Sequence, residues 1–275
     1  MNWNISRMHS WHFCKKSKLY IMELLIKDRL ILQLDEVDST NNYMRRILKE
    51  HPEESSLRDG SLIIADYQTS GRGQMGNGWH SDKGKNLLFS MLISPKELPA
   101  NEQFVISRMA SIAIKNMLDQ FASDIRIKWP NDIYMEDKKI AGMLIENDVQ
   151  GKNILHSIIG IGLNINQESF PDNLPNPVSL LQITGVEHDR DYLLDIFIRE
   201  FFLLYREFQK GNIAEIEKEY MLDLYRVNDY YWFENSKGSF RAKIDRVLPS
   251  GHLILKTIGD DSERKYAFKE VSFID

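Results

Sequence analysis

Cysteine is almost missing from this chain: Cys14 is the single one in 275 residues. No intrachain disulfide can form, which suits a reducing compartment, so a cytoplasmic location is expected. A basic surplus is missing as well. The 35 Lys and Arg stand against 40 Asp and Glu, a formal net charge of −5, whereas a domain built to hold nucleic acid normally carries a positive excess. No nucleic-acid partner is expected. No apolar run approaches the roughly 18 residues needed to cross a bilayer, and residues 1–20 lack the apolar stretch and small-residue cleavage site of a secretory signal. No membrane partner is expected either. No G-x-x-x-x-G-K-[ST] sequence occurs, which excludes a P-loop.

What is present is ordinary for a globular protein: 43% hydrophobic and 27% charged residues. The length suffices for one large core plus a small extra domain. Residues 1–21 read as an N-terminal extension without regular structure, 22–226 as the main body, and 227–275 as a separate small unit. In the main body, apolar runs predict strands over 24–34, 61–67, 86–93, 125–128, 140–146 and 154–161. Ser39 or Thr40 suits a helix cap, with Met44, Ile47 and Leu48 as the apolar face. Helical spacing recurs at Ile106, Met109, Ala113, Met117 and Phe121, again from Leu194 to Phe208 with a stop at Gly211, and over 213–225. From Tyr230 onward, β-formers alternate with turns at Ser236-Lys237-Gly238, Pro249-Ser250-Gly251 and Gly259-Asp260-Asp261, which predicts four or five short strands in a barrel-like unit. Hairpin-spaced strands outside a strict βαβ rhythm predict the α+β class, with a mixed, largely antiparallel sheet.

Four stretches carry chemistry. In Tyr67-Gln68-Thr69-Ser70-Gly71-Arg72-Gly73-Gln74-Met75-Gly76-Asn77-Gly78-Trp79, four glycines in eight positions let the backbone bring N–H groups close to a ligand. Arg72 between two of them presents a guanidinium suited to a carboxylate or phosphate. In Ile127-Lys128-Trp129-Pro130-Asn131-Asp132, Lys128 stands at a strand end before a turn. Downstream, Gly142 in Lys139-Ile140-Ala141-Gly142-Met143-Leu144-Ile145-Glu146 implies close backbone approach within a sheet. Gly160-Ile161-Gly162-Leu163-Asn164-Ile165-Asn166 puts two glycines where a ligand can lie flat on a strand, and alternation puts Asn164 and Asn166 on one face. Asp38-Ser39-Thr40-Asn41 is the fourth. Alone, each also has a plain structural reading: a surface turn, a hairpin, a strand end, a helix cap.

In this order, DSTN, YQTSGRGQMGNGW, KWPNDI, KIAGMLIE and GIGLNIN resemble the biotin protein ligase family, densely over residues 30–181 and more loosely in the β-rich tail. The resemblance implies a class II synthetase-like catalytic core followed by a small SH3-like β-barrel. It implies ATP and biotin as substrates with Mg²⁺, and formation of biotinyl-AMP. Biotin then passes to a lysine of a biotin carboxyl carrier protein or domain. Ser39, Thr40, Asn41 and Gln68 are implied on the ureido ring. Gly71, Arg72, Gly73, Gln74, Lys128, Gly142, Gly160 and Gly162 complete the biotin site. Arg72 and Lys128 are the implied catalytic cations, and Trp79, Asn131 and Asn164 belong to the nucleotide side. No metal ligand is assigned, and a homodimer is left open. Many members carry arginines where this chain has Gln74 and Asn77, which predicts weaker phosphate binding. Fewer than forty residues precede DSTN, so the winged-helix DNA-binding domain of the bifunctional members is not expected. Lipoate ligases and octanoyl transferases share the core but lack this motif series. A catalytically silent biotin-binding module is the other reading, and retention of both Arg72 and Lys128 speaks against it.

Overall fold

Unbroken apolar runs make strands buried on both faces. β2 (Leu62–Ala65) and β3 (Leu87–Ile93) have no exposed residue. The computed structural model describes residues 29–50, 57–259 and 262–274; the extension read over 1–21, and the first part of the strand read over 24–34, lie outside them. β1 (Ile31–Leu34) pairs parallel with β2. All other pairings in the main sheet are antiparallel, among β2, β3, β4 (Ile125–Lys128), β5 (Asp132–Met135), β6 (Lys138–Gln150) and β7 (Asn153–Leu163). The order across the seven strands is β1-β2-β3-β7-β6-β5-β4.

Period-2 alternation sends side chains to two cores. Leu62, Ile64, Phe89, Met91, Ile159 and Ile161 face the large one, under α2 (Phe104–Leu118), α4 (Arg190–Gln209) and α5 (Ile213–Leu222). Ile63, Leu92 and Ile158 point the other way and are covered by Met44 of α1 (Thr40–Glu50). The expected α+β class with a mixed, largely antiparallel sheet is what forms.

Some elements differ from expectation. β5 was not expected, because a four-residue strand of sequence DIYM directly after a turn former gives no periodic signal. β6 runs beyond the expected 140–146 at both ends, because Lys138-Lys139 and the mostly polar Asn147 to Gln150 conceal the strand. The short α3 (Leu180–Thr184) was also missed, although Ser179 and Gln182 form a reciprocal capping box at its start.

The tail folds into β8 (Tyr231–Asn235), β9 (Gly238–Val247), β10 (Leu253–Thr257), β11 (Glu263–Tyr266) and β12 (Ser272–Phe273). They form one antiparallel ladder, β11-β10-β9-β8-β12. The ladder is open among the described residues, where a barrel was expected. It docks firmly on the main body. Phe104 N–H donates to Pro249 O at 3.1 Å, and Trp129 Nε1 donates to Gly251 O at 2.9 Å. Gly251 has φ +89°, and an added Cβ there would lie 2.8 Å from the Phe104 ring. α2 is accordingly buried almost all round rather than on one face. Its Arg108, 1% exposed, donates to Val247 O at 2.5 Å and to Glu217 at 2.7 Å.

A buried guanidinium with two charge-assisted bonds is expensive to remove, because the buried Val247 carbonyl is left unpaired and the half-exposed Glu217 loses its cation. Arg108→Ala is therefore expected to lower unfolding free energy by about 2–4 kcal/mol, read from urea denaturation midpoints. A loss under about 0.5 kcal/mol contradicts this account of the docking.

Candidate functional site

A cleft of about 90 Å³ opens over the middle of the sheet. Ser39, Thr40, Asn41, Gln68, Arg72, Gly73, Gln74, Trp79, Asn131, Gly142, Gly160 and Gly162 all line it. Gly71, Lys128 and Asn164 do not. Asn77, Gly78, Asp132, Lys139, Met143, Leu144, Ile161 and Phe268 line it too, none of them expected as a site residue. Pockets for ligands of ordinary size run from about 300 Å³ upward, so this cleft is drawn in around its own side chains.

At one end, the start of α1 delivers a polar cluster. Thr40 N–H donates to Gln68 Oε1 at 2.8 Å, and Thr40 Oγ1 lies 3.2 Å from the same oxygen. Ser90 Oγ lies 2.7 Å from Thr40 Oγ1 and donates to Asn41 Oδ1 at 2.6 Å. Ser39, Thr40, Asn41 and Ser90 are all at least 97% buried, and Thr40, Asn41 and Ser90 keep their geometry because each is hydrogen-bonded within the cluster or to its neighbours. Ser90, in the middle of the apolar strand β3, was invisible as a site residue in the sequence. Outside the cluster, Asp38 receives both Arg46 nitrogens at 2.9 and 3.0 Å, which holds its carboxyl well below the usual range.

The glycine loop is more regular than its composition predicts. Arg72 and Gly78 form an antiparallel bridge around a 3-10 turn over Gln74–Gly76. Gly73 N–H donates to Asn77 O at 2.7 Å and Trp79 N–H to Gly71 O at 2.9 Å. These two donors, expected to face a ligand, are spent inside the loop. Gly71 is needed for the crossing itself, since any Cβ there would collide with the Trp79 carbonyl. Arg72 reaches across to Glu146 at 3.1 and 3.3 Å and to Asn42 Oδ1 at 2.7 Å.

The strand glycines make the floor. Gly142 and Gly162 are directly paired on β6 and β7, and the Trp79 indole lies across both. A Cβ on Gly162 would collide with that ring, and one on Gly160 with the Asn41 amide. Trp79 Nε1 is buried with no hydrogen-bond partner among the described residues. An unsatisfied donor costs about 1–3 kcal/mol, so the seat is a poor permanent one for this ring.

The opposite wall is ionic and aromatic. Lys139 Nζ pairs with Asp132 at 2.7 Å and lies 5.8 Å from the Trp79 ring. The Asn131 amide donates to Met143 O, and the Met143 N–H returns to Asn131 O at 3.1 Å. Phe268 arrives from the turn between β11 and β12 of the C-terminal unit and meets Trp129 edge-on at 6.2 Å between centroids. Lys128 is held elsewhere. Its ammonium sits 4.3 Å over the Tyr134 ring, 3.2 Å from its hydroxyl, and 5.4 Å from the rings of Tyr225 and Phe273. Burial, with Asp132 adding to it, pushes the Tyr134 phenol up, so it stays a neutral partner.

Asn164 and Asn166 fasten the chain behind the cleft. Asn164 Nδ2 donates to Val178 O at 3.1 Å, and Asn166 Nδ2 to His188 O at 2.8 Å. Lys85, just past the loop, pairs with Glu168 at 3.3 Å and Glu187 at 3.7 Å. Among the described residues no group of three or more His, Cys, Asp or Glu is arranged to hold a metal ion, and no helix is long and apolar enough to cross a membrane.

Residues 34–164 match the model of the Biotin/lipoate A/B protein ligase family. The chain is 30% identical over 203 residues to the bifunctional ligase/repressor BirA of Bacillus spizizenii, an alignment covering 72% of this chain and 62% of that protein. It thus spans less than two thirds of that relative's length. It is 25% identical over 231 residues to a biotin--[acetyl-CoA-carboxylase] ligase of Paracoccus denitrificans, covering 81% of this chain and 92% of the relative. Its fold is similar to that of the biotin protein ligase from Aquifex aeolicus in complex with biotin and ATP, with TM-score 0.70 and 24% identity over 88% of this chain and 97% of that one.

The floor gives a direct test. Gly160→Ala is expected to push the Asn41 amide off Ser90 and Glu146. It should cost about 1–3 kcal/mol of stability as an overpacked site, with thermal unfolding as the readout. A variant as stable as the parent contradicts the close approach of Asn41 to this strand.

Proposed function

Because residues 34–164 match the model of the Biotin/lipoate A/B protein ligase family, we propose that the chain is an ATP-dependent biotin protein ligase of that family. Residues 22–226 serve as the catalytic unit and 227–275 as the small C-terminal one. The observation that carries the reading is a single cleft with a neutral hydroxyl–amide cluster at one end, Arg72 at its side, and Trp79, Lys139 and Phe268 at the other.

Biotin's ureido ring is polar and uncharged, so Ser39, Thr40, Asn41 and Gln68 pair with it at small desolvation cost. Its chain lies along the floor of Gly160, Gly162 and Gly142, beneath Gly71, Arg72, Gly73 and Gln74 of the loop. The indole of Trp79 leaves that floor and packs on the nucleotide, whose side of the site is framed by Asn131 and supported by Asn164. The carboxylate attacks the α-phosphorus of ATP; a P–O bond forms to biotin and the bond to pyrophosphate breaks. Two anions must meet in this step, and fixed cations lower the repulsion. Arg72 is one. Lys128 is the other, its ammonium turning from the Tyr134 ring to the cleft, and Lys139 on the wall adds a third positive group. The amine of a carrier-domain lysine then attacks the acyl carbon, forms the amide, releases a proton and expels AMP. A loop closed over the mixed anhydride keeps water from it. Mg²⁺ is implied by the resemblance, but the described side chains offer no cluster for it. The single carboxylate in the lining, Asp132, is engaged with Lys139. No step here runs through a metal.

Incubation with ATP, labelled biotin and carrier domains tests the reading. Biotin-dependent pyrophosphate release and label on a carrier lysine are expected. Faster turnover with lipoate favours the lipoate branch of the family, and biotin binding without pyrophosphate release favours a silent binding module.

Two variants refine it. Lys128→Ala is expected to lower pyrophosphate release by about 10²–10³, the usual loss for one fixed stabiliser of developing charge; a near-normal rate removes Lys128 from the chemistry. Gln74 lines the cleft but is neutral, and neither Lys83 nor Lys85 is in the lining. Gln74→Arg is therefore expected to strengthen retention of biotinyl-AMP by about 1–2 kcal/mol, seen as a slower off-rate in stopped flow. An unchanged or faster off-rate means that other groups already supply the charge.

A further inference from the structure

The Glu146 carboxylate, on β6 beside the cleft, collects three partners from two other parts of the chain. Arg72 of the glycine loop reaches it at 3.1 and 3.3 Å, Arg45 of α1 at 3.1 Å, and the Asn41 amide donates to it at 2.9 Å. Its side chain is 16% exposed, while Arg72 and Arg45 are 42% and 37% exposed. Residues 142, 144 and 146 share one face of β6, and Gly142 and Leu144 line the cleft. Glu146 therefore stands at the rim of the cleft, on the same face as its floor.

We propose that Glu146 is a positioning residue that latches the glycine loop: it holds Arg72 in the empty cleft and yields it to the oxyanion of an incoming ligand. Three features make the exchange feasible. The pair is partly exposed, so breaking it exposes no dry, stranded charge. Glu146 keeps Arg45 and Asn41 when Arg72 leaves, so its own charge stays compensated. The second partner of Arg72, Asn42 Oδ1 at 2.7 Å, is neutral and holds the guanidinium near the cleft during the swap. The ligand group is an oxyanion, either the carboxylate of the acid to be activated or a phosphate of the nucleotide. Bidentate geometry suits both to a guanidinium. The latch sets a threshold: a neutral analogue cannot release it.

This inference rests on the proposed function only for the choice of ligands. The experiment compares the full chain with Glu146→Gln, whose amide oxygen still accepts from Asn41 but carries no charge. Trypsin cleavage after Arg72 is followed without ligand, and binding of biotin, ATP and biotin methyl ester is measured by calorimetry. The variant is expected to be cut after Arg72 about five- to tenfold faster, and to bind the oxyanion that takes Arg72 about five- to tenfold tighter. The methyl ester should bind both proteins alike. A gain for biotin assigns the carboxylate, and a gain for ATP assigns the phosphate. Arg45→Gln provides an independent second variant at a half-buried position. With its other cation gone, Glu146 should grip Arg72 harder, slowing cleavage and weakening oxyanion binding. Equal cleavage in parent and Glu146→Gln overturns the latch, as does an equal loss of affinity for biotin and its ester. If the parent binds no biotin, the proposed function fails, while the ligand-free cleavage comparison still decides the latch.

Discussion

A cleft over the middle of a sheet requires that the sheet carry no side chains there, and this one constraint organises the molecule. Gly142, Gly160 and Gly162 clear one face of the central hairpin. The cleared area is bounded by α1 on one side and the glycine loop above. The space over each glycine is filled: Gly160 by the Asn41 amide, Gly162 by the Trp79 ring, and Gly142 by that ring together with the Lys139 side chain. The other face of the same strands is packed with Ile159, Ile161 and Met143 against the large helices. The floor is thus rigid because its reverse side is core, and open because its front is bare backbone.

Over this floor, charge is arranged in internally balanced pairs. Arg72 faces Glu146 and Lys139 faces Asp132, at 3.1 and 2.7 Å. Lys128 lies over the Tyr134 ring and within 5.4 Å of the rings of Tyr225 and Phe273. Two of these rings, Tyr225 and Phe273, come from or lie beside the C-terminal unit, which also supplies Phe268 to the cleft. The small unit is therefore joined to the site, through Arg108, Trp129 and the Pro249-Ser250-Gly251 turn, and is not an appendage.

Much of this was legible in the residues. Apolar runs such as LIIA and LLFSMLI announced buried strands, and the i, i+3, i+4 spacing announced the long helices. The glycines at 142, 160 and 162 announced close approach, although the sequence did not reveal that Trp79 and Asn41 make it. Other features were hidden for definite physical reasons. Ser90 sits in an apolar strand and matters only because folding brings it to α1, some fifty positions earlier in the chain. Glu146 and Lys139 stand at the two ends of the strand expected over 140–146, where charged residues ordinarily face water. Lys128 read as a cleft lysine from its place before a turn, yet its ammonium rests on the nearby Tyr134 ring and beside two rings, Tyr225 and Phe273, contributed from far along the chain. Asn164 and Asn166 were expected to share one face of a strand, but β7 ends at Leu163 and their amides are used to hold residues 178 and 188.

The account stands on one reaction occurring in this cleft, the reversible activation of biotin by ATP. Exchange of labelled pyrophosphate into ATP isolates that step from the carrier and from product release. Exchange should require biotin, be absent with biotin methyl ester, and be poorly supported by lipoate. Exchange that proceeds equally well with lipoate, or fails with biotin at saturating ATP, contradicts it.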